Sequence, residues 1–211
     1  MILAIFFSFV YNYNVGVFMK RIFYIIIKCI LTPLFFLIFR PKVIGKSNIP
    51  KNGSIVLAGN HTNNLDSVML IAVVSRQVHF LAKIELFKGI FGVIVKAMGC
   101  IPVNRKIHDK DALKSAKEVL KNNKVIGIYP EGTINRTDDI IMPFKIGAVK
   151  MAKDTNTKIV PFVITGKYNI IGPRVKIEFL ESIEIKDELN KENDKLMKII
   201  SKKLEEDYEC N

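Results

Sequence analysis

The stretch Ser54-Ile55-Val56-Leu57-Ala58-Gly59-Asn60-His61-Thr62-Asn63-Asn64-Leu65-Asp66 begins as a short apolar run and ends in polar residues able to do chemistry. A run of that length with no polar alternation reads as a strand buried on both faces, delivering a loop at its end. Residues 65–75 behind it read as a helix, and residues 78–82 as the next strand. Further out, residues 85–98 predict a second helix, stopped by Gly99. Ala112, Leu113, Ala116, Val119 and Leu120 recur at helical spacing behind Asp109 and Asp111, both good caps. Strands are expected over 124–129, 158–165 and 174–180, and a helix over 144–152. An amphipathic helix over 187–206 carries Leu189, Leu196, Ile199, Ile200 and Leu204 on one face. Alternation of this kind indicates an α/β fold with a mixed, largely parallel sheet flanked by helices. In such sheets functional groups collect on loops beyond the strand ends.

Before Arg40 the chain has a different character. Ile, Phe, Leu, Val and Tyr dominate residues 1–39, broken by Asn12, Asn14, Lys20, Arg21 and Lys28. Residues 22–39 approach the ~20 needed to span a bilayer. Pro33 is expected to kink this segment or split it in two, giving one or two short helices embedded in one leaflet and not a clean span, while Lys28 can snorkel to the headgroups. Residues 1–46 are therefore expected to be a hydrophobic membrane-anchoring segment and residues 47–211 the globular domain that carries any chemistry. A cleaved signal peptide fits less well, because Lys20-Arg21 follows an apolar run and no small-residue cleavage site stands out. Met19 is an alternative start to Met1.

The 211 residues carry a formal charge of +12 and are 49% hydrophobic. An excess of cations calls for an anionic partner. The lysines are spread over helix faces with no zinc finger, aromatic ribonucleoprotein motif or basic zipper, which excludes the common nucleic-acid readers. Lys20 and Arg21 before the apolar block, and Arg40, Lys42 and Lys46 after it, fit an anionic membrane surface, placing the chain at the cytoplasmic face of the cell membrane. Cys29, Cys100 and Cys210 form no CxxC pair, consistent with a reducing compartment and against a zinc site.

Four blocks combine chemistry with a strand-end position. His61, with Asp66 five residues on, can form a base and its orienting carboxylate; by itself this spacing more often marks a capping or surface histidine beside a solvated aspartate. The second block, Gly99 to Arg105, presents a guanidinium at the end of an extended segment, suited to phosphate. The third is Tyr129-Pro130-Glu131-Gly132-Thr133-Ile134-Asn135-Arg136. Here Gly132 admits close ligand approach, Glu131 can accept from hydroxyls, and Arg136 adds charge. The fourth, Ile159-Val160-Pro161-Phe162-Val163, is an apolar strand in which proline implies an edge or a bulge.

Taken together and in order, these blocks resemble the glycerolipid acyltransferase family over roughly residues 50–166. Its histidine, four residues and aspartate are matched by His61 and Asp66; its arginine by Arg105; its Pro-Glu-Gly-Thr by Pro130 to Thr133; and its apolar run around proline by Pro161. The family often has arginine after that threonine, where this chain has Ile134, with Arg136 two residues on. The resemblance implies acyl transfer from an acyl-CoA or acyl carrier protein thioester to the free hydroxyl of 1-acylglycerol-3-phosphate, giving phosphatidic acid. It implies His61 and Asp66 as the catalytic pair, and Lys83, Arg105, Glu131, Gly132, Thr133 and Arg136 as the acceptor site. No bound cofactor, no metal and no acylated Ser67 or Cys100 are implied. Alternatives are an acyltransferase using another lysophospholipid acceptor, or a non-catalytic membrane-binding protein keeping the fold. A metal hydrolase with His61 and Asp66 as ligands lacks further histidines in useful places, since His79 and His108 stand in unrelated contexts.

Overall fold

Seven strands form one sheet in the computed structural model, which describes residues 13–104, 107 and 109–209, with side chains from Met19 onward. They are β1 (Lys42–Ile44), β2 (Ile55–Gly59), β3 (Val78–Lys83), β4 (Ile101–Val103), β5 (Val125–Ile128), β6 (Lys158–Thr165) and β7 (Lys176–Phe179). In space they run β1-β7-β6-β2-β5-β3-β4. Every pairing is parallel except β6 with β7. The mixed, largely parallel sheet read from the sequence is therefore observed. Strands β2 to β6 all point the same way, so their C-terminal ends share one edge, and the loops leaving that edge face a common space.

Period-two alternation divides the sheet's side chains between two cores. Ile55, Leu57, Val125, Val160, Phe162 and Ile164 lie beneath helices α1 (Tyr13–Phe39) and α2 (Leu65–Val73). Val56, Ala58, Ile126, Ile159 and Val163 face α4 (Lys110–Lys121), α5 (Gly147–Asp154) and α6 (Leu189–Glu209). Asp109 caps α4 as expected, its carboxylate accepting from Ala112 N at 2.9 Å. Between β3 and β4 the expected continuous helix is broken. A 3-10 turn, Ile84–Phe87, precedes α3 (Gly89–Ala97), because Gly89 takes a left-handed φ of 60° that no helix interior contains.

Pro161 is not on an edge strand but lies beside a bulge, the other position that a proline in a strand implies. β6 lies between β2 and β7, with Pro161 opposite Ala58. The Pro161 carbonyl accepts from Leu180 N at 2.8 Å, just past the end of β7. The register slips by one residue there, from Phe162 opposite Phe179 to Ile159 opposite Ile183, so the donor that Pro161 lacks falls where the ladder is already interrupted.

Helix α1 is one element, continuous through Pro33, and not two. Tyr24 and Phe35 are buried in the first core, whereas Ile25, Ile26, Ile30, Leu34, Phe36 and Leu37 are exposed. Its segment Met19–Phe39 is long and apolar enough to cross a membrane, with a mean hydropathy of 2.5. Lys28 does not snorkel outward. Its ammonium donates to the carbonyls of Val74 and Ser75, the latter at 3.0 Å, where the C-terminal end of α2 attracts a cation. The inner face of α1 is thus part of the same fold as the body.

Gly59, the last residue of β2, lies against Phe162, and a Cβ there would overlap its ring and carbonyl. Gly59→Ala should cost about 1–3 kcal/mol through overpacking. A fall of several degrees in the thermal midpoint of the purified chain checks this; an unchanged midpoint would mean that the ring yields freely.

Candidate active site

The chain leaves β2 at Asn60, whose side chain takes over from the ladder. Its amide nitrogen donates to Ile164 O at 2.9 Å, and its oxygen accepts from Ile164 N at 2.8 Å. Fixed in this way to β6, Asn60 launches His61 from the C-terminal edge of the sheet. The His61 backbone is then held on both sides. Its N–H donates to Glu131 Oε1 at 2.8 Å, and its carbonyl accepts from Asn135 N at 2.8 Å.

Asp66, in the first turn of α2, is fully buried. Its Oδ2 accepts from His61 Nδ1 at 2.9 Å, Thr62 N at 2.7 Å and Asn63 N at 2.8 Å. Its Oδ1 accepts from the Tyr168 hydroxyl at 2.6 Å and, more loosely, from Thr62 Oγ1 at 3.4 Å. A carboxylate ringed by donors requires the proton of a neutral His61 to sit on Nδ1. Nε2 is then a free lone pair, with no partner among the described residues. The imidazole stacks on Tyr129, with ring centroids 4.0 Å apart and planes within 11°. Burial, and next the charge of Asp66, push the Tyr129 phenol well above its usual range, so the ring is a neutral platform. His61 and Asp66 are in hydrogen-bond contact, as their spacing suggests, whereas in the sequence Tyr129 is only the first residue of the third block and Tyr168 lies in no motif at all.

The expected acceptor residues fall into three groups. Lys83 lies at the C-terminal end of β3 on the same edge, exposed, with its Nζ 3.9 Å from exposed Glu85. Gly132, Thr133 and Arg136 lie in the loop after β5; Thr133 and Arg136 are exposed, and among the described residues no carboxylate pairs with Arg136. Gly132 has a φ of 77°, and a Cβ there would come within 2.7 Å of Lys145 Nζ. This exposed ammonium beside the loop went unnoticed in the sequence because it follows an unremarked Pro143-Phe144. Arg105 and His108 lie outside the described residues.

Glu131 departs from its expected place. It is 3% exposed, and its two oxygens accept from His61 N and from Met142 N at 2.9 Å. Burial raises its carboxyl above the usual range, against the lowering pull of those two amides. The side chain braces two loops instead of facing an acceptor's hydroxyls. Ser67 Oγ is 3.4 Å from the Tyr129 hydroxyl, and burial pushes the Cys100 thiol up to about 11, so neither is an activated nucleophile. Among the described residues no group of three or more His, Cys, Asp or Glu is arranged to hold a metal ion.

Known proteins resemble this chain in sequence and in fold. A family model described as Acyltransferase matches residues 40–165. The 1-acyl-sn-glycerol-3-phosphate acyltransferase of Borreliella burgdorferi is 35% identical over 130 residues, covering 60% of this chain and 52% of that protein. The Bacillus subtilis protein of the same name is 32% identical over 127 residues, covering 59% and 62%. The chain thus spans between half and two thirds of these relatives' length. The crystal structure of the 1-acyl-sn-glycerophosphate (LPA) acyltransferase PlsC from Thermotoga maritima shares the fold, with a TM-score of 0.72 at 22% identity, over 89% of this chain and 80% of that one.

Glu131→Gln leaves shape intact but can accept at one oxygen only, setting its amide against a backbone N–H. The loss should be about 1–3 kcal/mol. Thermal melts should show a lowered midpoint for Glu131→Gln and none for exposed Thr133→Ala; equal midpoints would contradict the bracing role.

Proposed function

The chain belongs to the acyltransferase family, and from that premise we propose that it transfers an acyl chain from a thioester to the free hydroxyl of 1-acylglycerol-3-phosphate, forming phosphatidic acid. The observation that carries this reading is the His61 imidazole, oriented through Nδ1 by buried Asp66 and presenting Nε2 at the sheet edge. Nε2 takes the proton of the acceptor hydroxyl as its oxygen attacks the thioester carbonyl. The tetrahedral intermediate collapses with expulsion of the thiolate, to which the imidazolium returns the proton. Asp66 stabilises that imidazolium. A general base contributes ~10²–10⁴-fold, and positioning two reactants supplies a further ~7–11 kcal/mol. This scheme uses no metal and no bound cofactor, with acyl-CoA or acyl carrier protein bringing the activated acyl group.

Lys83, Arg105 and Arg136 are proposed to hold the acceptor's phosphate, with Gly132 and Thr133 along its glycerol part. Lys145, against Gly132, joins that set. Residues 1–46 act as the membrane anchor and residues 47–211 carry the chemistry, although the inner face of α1 is shared between them. Helix α3, which touches α1, also exposes Ile90 and Phe91. Lys20, Arg21, Arg40, Lys42 and Lys46 are also exposed, which favours an anionic leaflet at the cytoplasmic face.

The deciding assay offers lysophosphatidic acid against other lysophospholipids, with each thioester carrier in turn. His61→Ala should lower kcat by on the order of 10²–10⁴-fold without loss of folding, and Asp66→Asn should also be severely impaired. Activity within a few-fold of the unaltered chain would sink the mechanism. A preference for a headgroup other than bare phosphate would move the reading to another lysophospholipid.

For the membrane, the exposed pair Leu34 and Leu37 provides the cleaner test. Leu34→Lys with Leu37→Lys should weaken co-flotation with anionic vesicles at high salt while leaving the melt in detergent unchanged. Undiminished flotation would place the anchor elsewhere.

A further inference from the structure

Tyr168 lies outside the residues matched by the family model and outside every motif read from the sequence. It follows β6, where Gly166 turns the chain with a φ of 80°. Its hydroxyl donates to Asp66 Oδ1 at 2.6 Å, a length typical of a hydrogen bond to a charged acceptor. The other oxygen, Oδ2, is held by His61, Thr62 and Asn63. Oδ1 has otherwise only the 3.4 Å contact with Thr62 Oγ1. The Tyr168 bond is therefore the one short bond that holds Oδ1, and it adds a second fixed point to a carboxylate otherwise held through Oδ2 alone. Burial, and next the nearby Asp66 charge, raise the phenol far above its usual range, so the hydroxyl keeps its proton and can only donate to that carboxylate.

The ring of Tyr168 is in turn held by α1. It meets Phe35 edge-on at 6.2 Å and Phe39 at 5.6 Å, and those two rings lie 4.9 Å apart. Next to Phe39, the Arg40 guanidinium donates to Ile170 O at 2.6 Å. The C-terminal end of the apolar helix thus grips the loop that grips Asp66. On the opposite side of that helix Phe36 and Leu37 are exposed, where a bilayer would press.

We propose that Tyr168 is a positioning residue of the acyltransferase site, fixing Asp66 and through it His61, and that Phe35 and Phe39 make the membrane helix part of the catalytic assembly. The proposal rests on the acyl-transfer reading above. Removing the hydroxyl leaves the acceptor and donor surfaces untouched, so the effect falls on kcat and not on KM. Because Tyr168 acts through Asp66, the effect disappears once Asp66 no longer carries a charge.

The test measures initial rates for the full-length chain in mixed micelles, with thermal midpoints taken alongside. Tyr168→Phe should lower kcat on the order of 10-fold, the effect expected of one hydrogen bond to a charged group, and leave both KM values within about two-fold. In the Asp66→Asn background the same substitution should change kcat by under about two-fold. Phe39→Leu, which keeps the volume apolar but loosens the ring, should also lower kcat, and should add nothing to Tyr168→Phe. Full kcat in Tyr168→Phe, or an equal loss in both backgrounds, would overturn the proposal while His61→Ala still reports an intact mechanism. If the unaltered chain acylates no lysophospholipid, the acyl-transfer reading fails and the proposal fails with it.

Discussion

Five donors converge on the two oxygens of Asp66, and most of the architecture can be traced back to satisfying that one buried charge. A carboxylate removed from water is costly unless its lone pairs are filled. Filling them here takes the loop after β2, the first turn of α2 and the loop after β6. These come within reach because β2 and β6 are parallel neighbours ending on the same edge. Asn60 reinforces that adjacency by bonding both polar groups of Ile164. The histidine whose tautomer the charge dictates is held from a third direction, through Glu131 and Asn135 of the loop after β5. Loosening any one of these loops acts on the same imidazole.

The same constraint explains why the apolar helix is more than a tether. An anchor that only fixed the chain to a membrane could hang from a linker. Helix α1 instead places Tyr24 and Phe35 in the core, and Lys28 on the carbonyls that end α2, the helix carrying Asp66. Its middle and its C-terminal end thus reach the two ends of α2, one through Lys28 and one through the Phe35–Phe39–Tyr168 rings. Deep packing on the inside and exposed isoleucine and leucine on the outside are what a helix needs to sit between a bilayer and an active site.

Much of this was legible in the sequence where signals are local. The near-continuous apolar runs 54–59 and 158–165 are strands because both faces are covered, and the structure gives Ile55–Gly59 and Lys158–Thr165. His61 and Asp66 were legible because a helical turn returns the second to the first. Three-residue β1 was not, since it is too short to show a period. The break at Lys88-Gly89 was hidden because a single glycine in an apolar run does not announce a left-handed φ. Pro161 signalled an edge or a bulge without saying which: β6 is an interior strand, and the extra residue lies in the segment after β7, too far along the chain to be read from the proline itself. Tyr168 sits 102 residues from Asp66, so no spacing could have tied them, and Glu131 had the right motif but the wrong orientation.

The central claim is that Asp66 fixes His61 with its proton on Nδ1 and leaves Nε2 bare. Two-bond nitrogen–proton correlation of the ring nitrogens reads that tautomer directly. With only three histidines in the chain, comparison with the His61→Ala spectrum assigns the signal. The account predicts that neutral His61 is locked as the Nδ1–H form, with Nε2 showing the shift of an unprotonated nitrogen. An Nε2–H tautomer, or a pattern averaged between the two, would contradict it.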